Sequence, residues 1–233
     1  MYYNKLDIKD YRYERKFFIS QITKHQIESI IKIHPSLFSE IYQQRHVNNI
    51  YLDTNSLNNY FDNCDGVQNR IKVRIRWYGR LFGNIKKPNL EFKIKNGLLG
   101  KKNIFKLQSF EINKGFNNYD IFKIIQNSDI PVNFKKKIDP LTPTLLNKYT
   151  RKYFQSFDKK YRLTIDTDQA FYKISRYNNL FLNKLHDKDN VILELKYNSC
   201  FDKNISNITN HFLFRLTKSS KYVSGINKVF QIV

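Results

Sequence analysis

Hydrophobic and charged residues alternate along the segment IKVRIRWYGR, residues 71 to 80. Because successive side chains of a strand point to opposite faces, this pattern predicts a β-strand with one apolar and one cationic face. The apolar face carries Ile71, Val73, Ile75 and Trp77, and the other carries Lys72, Arg74, Arg76 and Tyr78. Three like charges along one face repel each other, at a cost on the order of 1 kcal/mol or more per pair unless water or an anion lies among them. The pattern therefore favours an anionic ligand.

The same alternation recurs along most of the chain. It predicts further strands over residues 11–19, 45–54, 90–97, 101–112, 144–157, 159–174 and 190–198, with the turn GLLG (97–100) closing a hairpin. A sandwich that buries its apolar face explains any one of these strands. When five or six strands repeat a charged face, a wet interior lined with cations is the better explanation.

Apolar residues at helical spacing predict amphipathic cover for the outside of this sheet. The predicted helices cover residues 23–33, about 118–127 and 204–216, with a short helix or turn over 56–63. Thr23 can cap the first helix. We therefore predict one domain over residues 1–233 of the α+β class, mainly β, in which an antiparallel barrel forms a tunnel surrounded by peripheral helices.

The charge of the whole chain agrees with an anionic partner. Lys and Arg number 41 and Asp and Glu 20, which gives a formal net charge of +21. The chain has neither a secretory signal pattern nor an apolar run of about 18 residues, so we expect a soluble, cytoplasmic protein that does not insert into a membrane. Cys64 and Cys200 lack metal-like spacing and are expected to be free thiols. The five histidines are scattered, which gives zinc chemistry little support.

Taken in order, the strand motifs resemble the VTC domain, the catalytic domain of vacuolar transporter chaperone polyphosphate polymerases within the triphosphate tunnel metalloenzyme (CYTH-like) superfamily. The motifs are YERKF, IYLD, VRIRWYG, LEFKIK, KYTRKYF, YRLTID, ILELKY and TKSSKYVSG. The resemblance implies a triphosphate tunnel fold whose inward cations bind nucleoside triphosphate or polyphosphate. It also implies a divalent metal, Mn²⁺ or Mg²⁺, held by an inward glutamate.

Carried over to this sequence, the resemblance implies three groups of site residues. The catalytic group is Lys16, Arg74, Arg76, Lys93, Arg151 and Arg162. The phosphate- and nucleotide-binding group is Lys72, Lys102, Tyr149, Lys196, Ser220 and Lys221, and the metal ligand is Glu194. The alignment around residues 96–106 is loose, so Lys101 or Lys106 could take the place of Lys102. Glu14 and Glu91 are interpreted as charge partners rather than as ligands.

Two departures from the family pattern matter. The first strand keeps only Glu14 and Lys16 of the ExExK motif of the wider superfamily, which disfavours hydrolase and cyclase activity. We also expect this protein to be without the regulatory domain and membrane helices that accompany this domain in fungal complexes. Coupling of synthesis to transport would therefore need a separately encoded membrane protein as partner.

The expected reaction is transfer of the γ-phosphate of ATP to a growing polyphosphate chain, with ADP leaving. ATP and inorganic polyphosphate are thus the expected partners. A metal-dependent triphosphatase or tripolyphosphatase on the same fold is one alternative, and a non-catalytic polyphosphate-binding module is another. Nucleic acid is not expected, because base stacking needs exposed aromatic side chains among the cations and most strand aromatics here alternate away from them.

Overall fold

The computed structural model describes residues 12–96, 99–177, 179–181 and 184–232. The strands are β1 (Arg12–Ile19), β2 (Ser39–Asp53), β3 (Asn69–Tyr78), β4 (Gly83–Ile85), β5 (Asn89–Asn96), β6 (Leu99–Lys106), β7 (Phe110–Ile112), β8 (Thr142–Gln155), β9 (Tyr161–Lys173), β10 (Leu185–Asp187) and β11 (Val191–Asn198). The α-helices are α1 (Lys24–Lys32), α2 (Asn58–Cys64), α3 (Asn118–Gln126), α4 (Val132–Ile138), α5 (Ser206–Thr209) and α6 (Lys221–Phe230), and a 3₁₀ helix covers Ser199–Asn204. The predicted α+β, mainly β class is confirmed.

Most of the strands form one sheet. Its order is β1, β11, β9, β8, β2, β3, β5, β6, with β10 paired to β9, while β4 and β7 form a separate ribbon. The pairs whose register is described are antiparallel, as predicted. Strands β1 and β6 are the two ends of this order. The hydrogen-bonding order of the described strands is therefore an open path rather than the closed ring expected for a barrel. Two residues of the predicted GLLG turn, Gly97 and Leu98, lie outside the described residues.

The chain divides into two compact units, and the predicted single domain stays a prediction. The first unit comprises Met1–Gln44, Lys152–Thr167 and Asp189–Ser219. Its core is formed by the apolar faces of β1, β9 and β11 with one face of α1, and includes Phe17, Leu163, Leu193, Ile27 and Ile31. Thr23 caps α1 in a capping box with Gln26, which confirms the predicted helix start.

The second unit comprises Arg45–Arg151, Asp168–Lys188 and Ser220–Val233. Its larger core takes the apolar face of β3, including Val73, Ile75 and Trp77, together with residues of α3. Trp77 is buried, as expected for a core residue, and its indole N–H donates to the Arg80 carbonyl at 2.9 Å. Because the apolar face of β3 packs in this core, the cations of β3 lie on the opposite face of the strand.

The predicted helix over residues 204–216 is wrong. Only the short helix α5 forms there, and the chain then runs beside β1, where Leu216 makes an isolated bridge with Phe17. The Thr217 N–H donates to the Lys16 carbonyl at 2.8 Å. The backbone groups of an edge strand need partners, and this segment supplies some of them. The last helix of the described chain is instead α6, in a segment predicted only to bind phosphate.

Two further expectations can be compared with the structure. Cys64 and Cys200 are both free and exposed, as expected. Among the described helices, none has the length and apolar composition needed to cross a membrane.

Candidate functional site

Strand β3 of the second unit presents its cations in the predicted alternation. Lys72, Arg74 and Arg76 occupy alternate positions, while Val73 and Ile75 between them are fully buried in the core. Arg76 is itself only 8% exposed, which is rare for arginine outside a paired or ligand-binding setting. The alternation therefore places guanidinium groups in a partly dehydrated environment, where each group needs hydrogen-bond acceptors.

Glu91 on β5 supplies the nearest acceptor. Its Oε2 accepts from the Arg74 Nε and Nη2 atoms, each at 2.7 Å, and lies 3.7 Å from the Arg76 Nη1. Its Oε1 lies 2.6 Å from the Lys102 Nζ. Three positive charges against one negative leave this group with two positive charges. Glu91 is thus the charge partner that the sequence predicted, and it neutralises the group only in part.

The pKa values follow from this geometry. Burial by itself raises the pKa of Glu91, but Arg74, Arg76 and Lys102 together outweigh it and lower the pKa to about 2. Burial lowers the pKa of Arg74, and the electrostatic interactions with Tyr51, Glu91 and Tyr149 overcome it, so the net pKa is raised. Both groups are therefore charged across the physiological range, whereas burial lowers the pKa of Lys102, the third cation around Glu91.

Tyr149 on β8 joins further cations to this group. Its hydroxyl accepts from the Arg76 Nη2 at 3.1 Å. Its ring lies under two cations, with the Arg151 guanidinium carbon 5.2 Å and the Lys221 Nζ 4.7 Å from the centroid. A buried aromatic ring between cations favours both positions. Tyr149 therefore orders three of the predicted cationic side chains.

Helix α6 brings in the last predicted pair. Ser220 is the N-cap of α6, and its Oγ accepts from the Lys72 Nζ at 3.1 Å. Lys221 is the first residue of the helix and reaches the Tyr149 ring. We call the set Lys72, Arg74, Arg76, Lys102, Arg151 and Lys221 the cationic cluster. Its members are linked through Glu91, Tyr149 and Ser220, and all lie in the second unit.

A row of lysines runs across the same unit. In the strand register, Lys93 on β5 faces Lys72 on β3 on one side and Lys102 on β6 on the other. Like charges placed directly opposite each other destabilise a sheet. Lys72, Lys93 and Lys102, the lysine row, therefore place three positive charges side by side, an arrangement that suits a multivalent anion.

Buried amides that the sequence interpretation missed fix Arg76. The Asn49 Oδ1 accepts from the Arg76 Nε at 2.8 Å, and the Asn49 Nδ2 donates to the Asn147 Oδ1 at 3.2 Å. Asn147 in turn donates to the Ala170 carbonyl at 3.2 Å. Both amides are fully buried. The sequence contains a pattern that could have revealed them, because along β2 the polar Asn49 and Tyr51 alternate with the apolar Ile50 and Leu52.

The first unit holds a second, smaller group of predicted site residues. The Glu194 Oε1 lies 2.6 Å from the Lys196 Nζ, and its Oε2 lies 3.9 Å from the Lys16 Nζ. The Lys16 Nζ also donates to the Ser219 carbonyl at 3.0 Å. In the register, Lys196 faces Arg162 on β9, which is exposed. The structure therefore brings Lys16, Arg162, Glu194 and Lys196 together on adjacent strands of this unit.

Glu194 fits a divalent cation that takes few ligands from the protein and the others from water and substrate phosphates. The described residues contain no group of three or more His, Cys, Asp or Glu side chains that could hold a metal ion. Mg²⁺ often binds through one or two carboxylates, with water and substrate phosphates as the other ligands. Thr164 faces Glu194 in the register, and within the described structure its buried Oγ1 has no hydrogen-bond partner. One carboxylate beside an unsatisfied hydroxyl suits such a phosphate-dependent site.

One solved structure has a similar fold, and two others match with lower TM-scores. A candidate adenylate cyclase from Vibrio parahaemolyticus matches with a TM-score of 0.51 at 8% identity, covering 93% of this chain and 98% of its own. A protein of Pyrococcus horikoshii matches with a TM-score of 0.47 at 12% identity, covering 94% and 98%. A candidate adenylyl cyclase from Hippeastrum, described as having a dominant triphosphatase activity, matches with 0.47 at 11% identity, covering 95% and 98%. The fold is that of the triphosphate tunnel (CYTH-like) proteins.

The family is defined by the sequence. The VTC domain family model matches residues 11–230, nearly the whole chain. This chain therefore belongs to the VTC domain family, and the resemblance seen in the strand motifs is confirmed. No curated protein matches the chain in sequence.

Proposed function

We propose that this chain is an inorganic polyphosphate polymerase that transfers the γ-phosphate of ATP to the end of a polyphosphate chain. The observation that carries this proposal is the cationic cluster, in which a buried carboxylate and buried amides hold two arginines and leave excess positive charge. Membership of the VTC domain family supports it. ATP and polyphosphate are the proposed partners.

Arg74 and Arg76 are the residues we assign to the transferring phosphoryl group. Phosphoryl transfer depends mainly on alignment and on neutralising charge on the phosphate oxygens. A guanidinium binds such oxygens with a planar fork, and Glu91 and Asn49 hold these two forks before any substrate binds. Groups that are fixed beforehand need little reorganisation during the reaction, so they stabilise its transition state most effectively.

The proposed step needs no general base. A terminal oxygen of the polyphosphate chain, already ionised at neutral pH, attacks the γ-phosphorus of ATP. The bond from that phosphorus to the β,γ-bridging oxygen breaks, and the electron pair leaves with ADP. The cationic cluster neutralises negative charge on the reacting phosphates and on the leaving ADP.

The other predicted residues are proposed to hold the phosphates of substrate and product. Lysines bind phosphate as compact point charges, so the lysine row can hold successive phosphates of a chain without fixing its register. Arg151, Tyr149, Ser220 and Lys221 are proposed to contact phosphate at the start of α6, where the helix dipole also favours negative charge.

In the first unit, Lys16, Arg162 and Lys196 are proposed to bind phosphate, and Glu194 to hold one Mn²⁺ or Mg²⁺ ion. When bound, such an ion would neutralise phosphate charge and orient the phosphate oxygens. Glu194 would contribute the carboxylate, while Lys196 and Lys16 hold it in place.

The test is to incubate the purified protein with ATP and Mn²⁺ and to resolve the products on a gel. We expect a ladder of phosphate chains that exopolyphosphatase removes and phosphatase does not. Arg74→Ala should lower the rate by about a hundredfold or more, as loss of one preorganised donor to a transition state does. Arg80→Ala is the matched control, because Arg80 is exposed beyond the end of β3 and its substitution removes the same charge.

Other products would redefine the function. Free phosphate without chains would show that the same site hydrolyses triphosphate. If no ATP is consumed, filter binding decides whether the protein binds polyphosphate, and duplex and single-stranded nucleic acids serve as competitors. Polymerisation at the normal rate by Arg74→Ala would show that the active site lies elsewhere.

A further inference from the structure

A buried carboxylate of the second unit takes no part in the chemistry proposed above. Asp53, at the end of β2, has no solvent-exposed surface. Its Oδ1 accepts from the backbone N–H groups of Thr54 and Asn59 at 2.7 and 2.9 Å, and its Oδ2 accepts from that of Tyr60 at 3.0 Å. The hydroxyl of Tyr222 also donates to the Oδ2. Four donors on one buried carboxylate make a rigid connection.

The Tyr222 hydroxyl connects this carboxylate to helix α6. Tyr222 is the second residue of the helix, and its ring lies 5.0 Å from that of Tyr51, centroid to centroid. Farther along, the Tyr60 hydroxyl donates to the Asn227 Oδ1 at 2.8 Å. The helix is therefore attached at its first turn and again near its end, and Tyr60 takes part in both attachments through its N–H and its hydroxyl.

Between these attachments α6 packs against the sheet at Gly225. A Cβ atom at this position would lie 2.4 Å from the Leu145 Cδ2 and 2.7 Å from the Phe171 Cδ1. Distances this short cannot be accommodated without movement, so only glycine allows the helix to come this close. Hydrogen bonds and packing together fix where α6 begins.

The residues just before Tyr222 are Ser220 and Lys221. Ser220 accepts from Lys72, and Lys221 lies over the Tyr149 ring. A helix advances about 1.5 Å per residue, so Ser220 and Lys221 lie within a few ångströms of Tyr222 along the helix axis. A shift of the first turn therefore moves these two side chains by about the same distance as the turn itself. A displacement of about 1 Å is enough to spoil a phosphate contact.

We propose that Asp53 and Tyr222 are positioning residues that fix Ser220 and Lys221 for phosphate binding, an inference that rests on the proposed function of the cationic cluster. Neither Asp53 nor Tyr222 contacts phosphate. Their effect passes through the first turn of α6, and the removal of the Tyr222 hydroxyl breaks the hydrogen bond between that turn and β2.

The test is a double-mutant cycle on the full chain, with the affinity for inorganic tripolyphosphate measured by titration calorimetry. Lys221→Met should weaken binding by about tenfold, since it removes a charged phosphate contact. Tyr222→Phe should weaken it by about threefold and should still fold, because three backbone N–H groups remain on Asp53. In the Tyr222→Phe background, Lys221→Met should cost only about twofold, because Lys221 is already out of position.

A control within the same protein separates positioning from a general loss of stability. Arg74 donates to Glu91 on β5, so Arg74→Ala should cost the same factor with and without Tyr222→Phe. If Lys221→Met and Tyr222→Phe act independently, the inference is wrong. Gly225→Ala, which displaces the helix by packing alone, should reproduce the reduced effect of Lys221→Met and serves if Tyr222→Phe does not fold.

The outcomes also separate this inference from the proposed function. If ATP yields phosphate chains while the two substitutions act independently, the polymerase proposal stands and the positioning role fails. If no chains form but the cycle shows coupling, the positioning role stands and the polymerase proposal fails. Tripolyphosphate that does not bind the unaltered protein would overturn both.

Discussion

Replacement of Glu91 by Gln should reveal how strongly the cationic cluster depends on its internal carboxylate. Glutamine keeps the shape of the side chain and removes its charge, so Arg74, Arg76 and Lys102 lose their shared counter-ion. The pKa of Glu91 falls from 4.5 to about 2 in the folded protein. Such a shift corresponds to about 3 kcal/mol of interaction between the ionised carboxylate and its surroundings. We expect Glu91→Gln to lower the free energy of unfolding by about that amount at neutral pH.

Urea unfolding followed by tryptophan fluorescence measures this change directly. The chain contains one tryptophan, Trp77, which is buried on β3 beside the cluster strands. The exposed Glu111 on β7 provides the matched control, and Glu111→Gln should change the free energy of unfolding by less than about 0.5 kcal/mol. Tripolyphosphate should stabilise Glu91→Gln more than the unaltered protein, because it replaces the missing negative charge.

The pH dependence gives a second, independent reading of the same interaction. A carboxylate whose pKa is lowered on folding adds stability above its unfolded pKa, here 4.5, and this stability is lost as the pH falls toward about 2. The difference between the unaltered protein and Glu91→Gln should therefore shrink from about 3 kcal/mol at neutral pH to about 1 kcal/mol near pH 3. A difference that stays constant over this range would refute the assignment of the low pKa to Glu91.

Two further predictions concern single side chains of the two units. Tyr149→Phe removes the acceptor for Arg76 but keeps the ring under Arg151, so turnover should fall by less than about tenfold, whereas Tyr149→Ala should cost at least ten times more. A loss from Tyr149→Phe equal to that from Tyr149→Ala would contradict this view of the ring. Glu194→Gln should weaken Mn²⁺ binding in the presence of tripolyphosphate by about tenfold or more, measured by electron paramagnetic resonance of free Mn²⁺. Unchanged binding would place the metal elsewhere.

Strand alternation predicted most of the β structure and the three cations that β3 contributes to the cationic cluster. The segment 71–80 reads alternately apolar and cationic, and in the structure Ile75 is in the core while Arg74 and Arg76 meet Glu91. This worked because a side-chain period of two is a local property that a single sequence displays. The family resemblance added the members on β6, β8 and α6, for which local patterns give no indication of a shared site.

The end of the chain was harder to predict because tertiary contacts outweigh its local pattern. Ile205, Ile208 and Phe212 have helical spacing, yet the helix stops at Thr209 and Phe212 packs against Phe17. The backbone beyond this helix supplies hydrogen-bond partners to β1. That strand lies far away in the sequence, so no local pattern around residues 204–216 reveals it. Helix α6 was missed as well, because its segment was predicted only to bind phosphate; its glycine lowers helix propensity and yet allows the close packing.

The buried polar residues around the cluster could be predicted only in part. Asn49 and Asp53 lie on one face of β2, so alternation places them correctly. Their partners are Arg76 on β3 and Tyr222 on α6, at sequence separations of 27 and 169 residues. A buried Asn or Asp signals that some partner exists, but the pairing depends on the completed fold.

The sharing of Glu91 among three cations affects which anions remain bound. Orthophosphate is small, reaches few of these cations at once, and competes there with a carboxylate that is already in place. An extended anion that also spans the lysine row gains several weak attractions together, and their effects multiply in its dissociation constant. Residence time should therefore lengthen with every phosphate added, and a long product of the proposed reaction should be retained while a short one escapes.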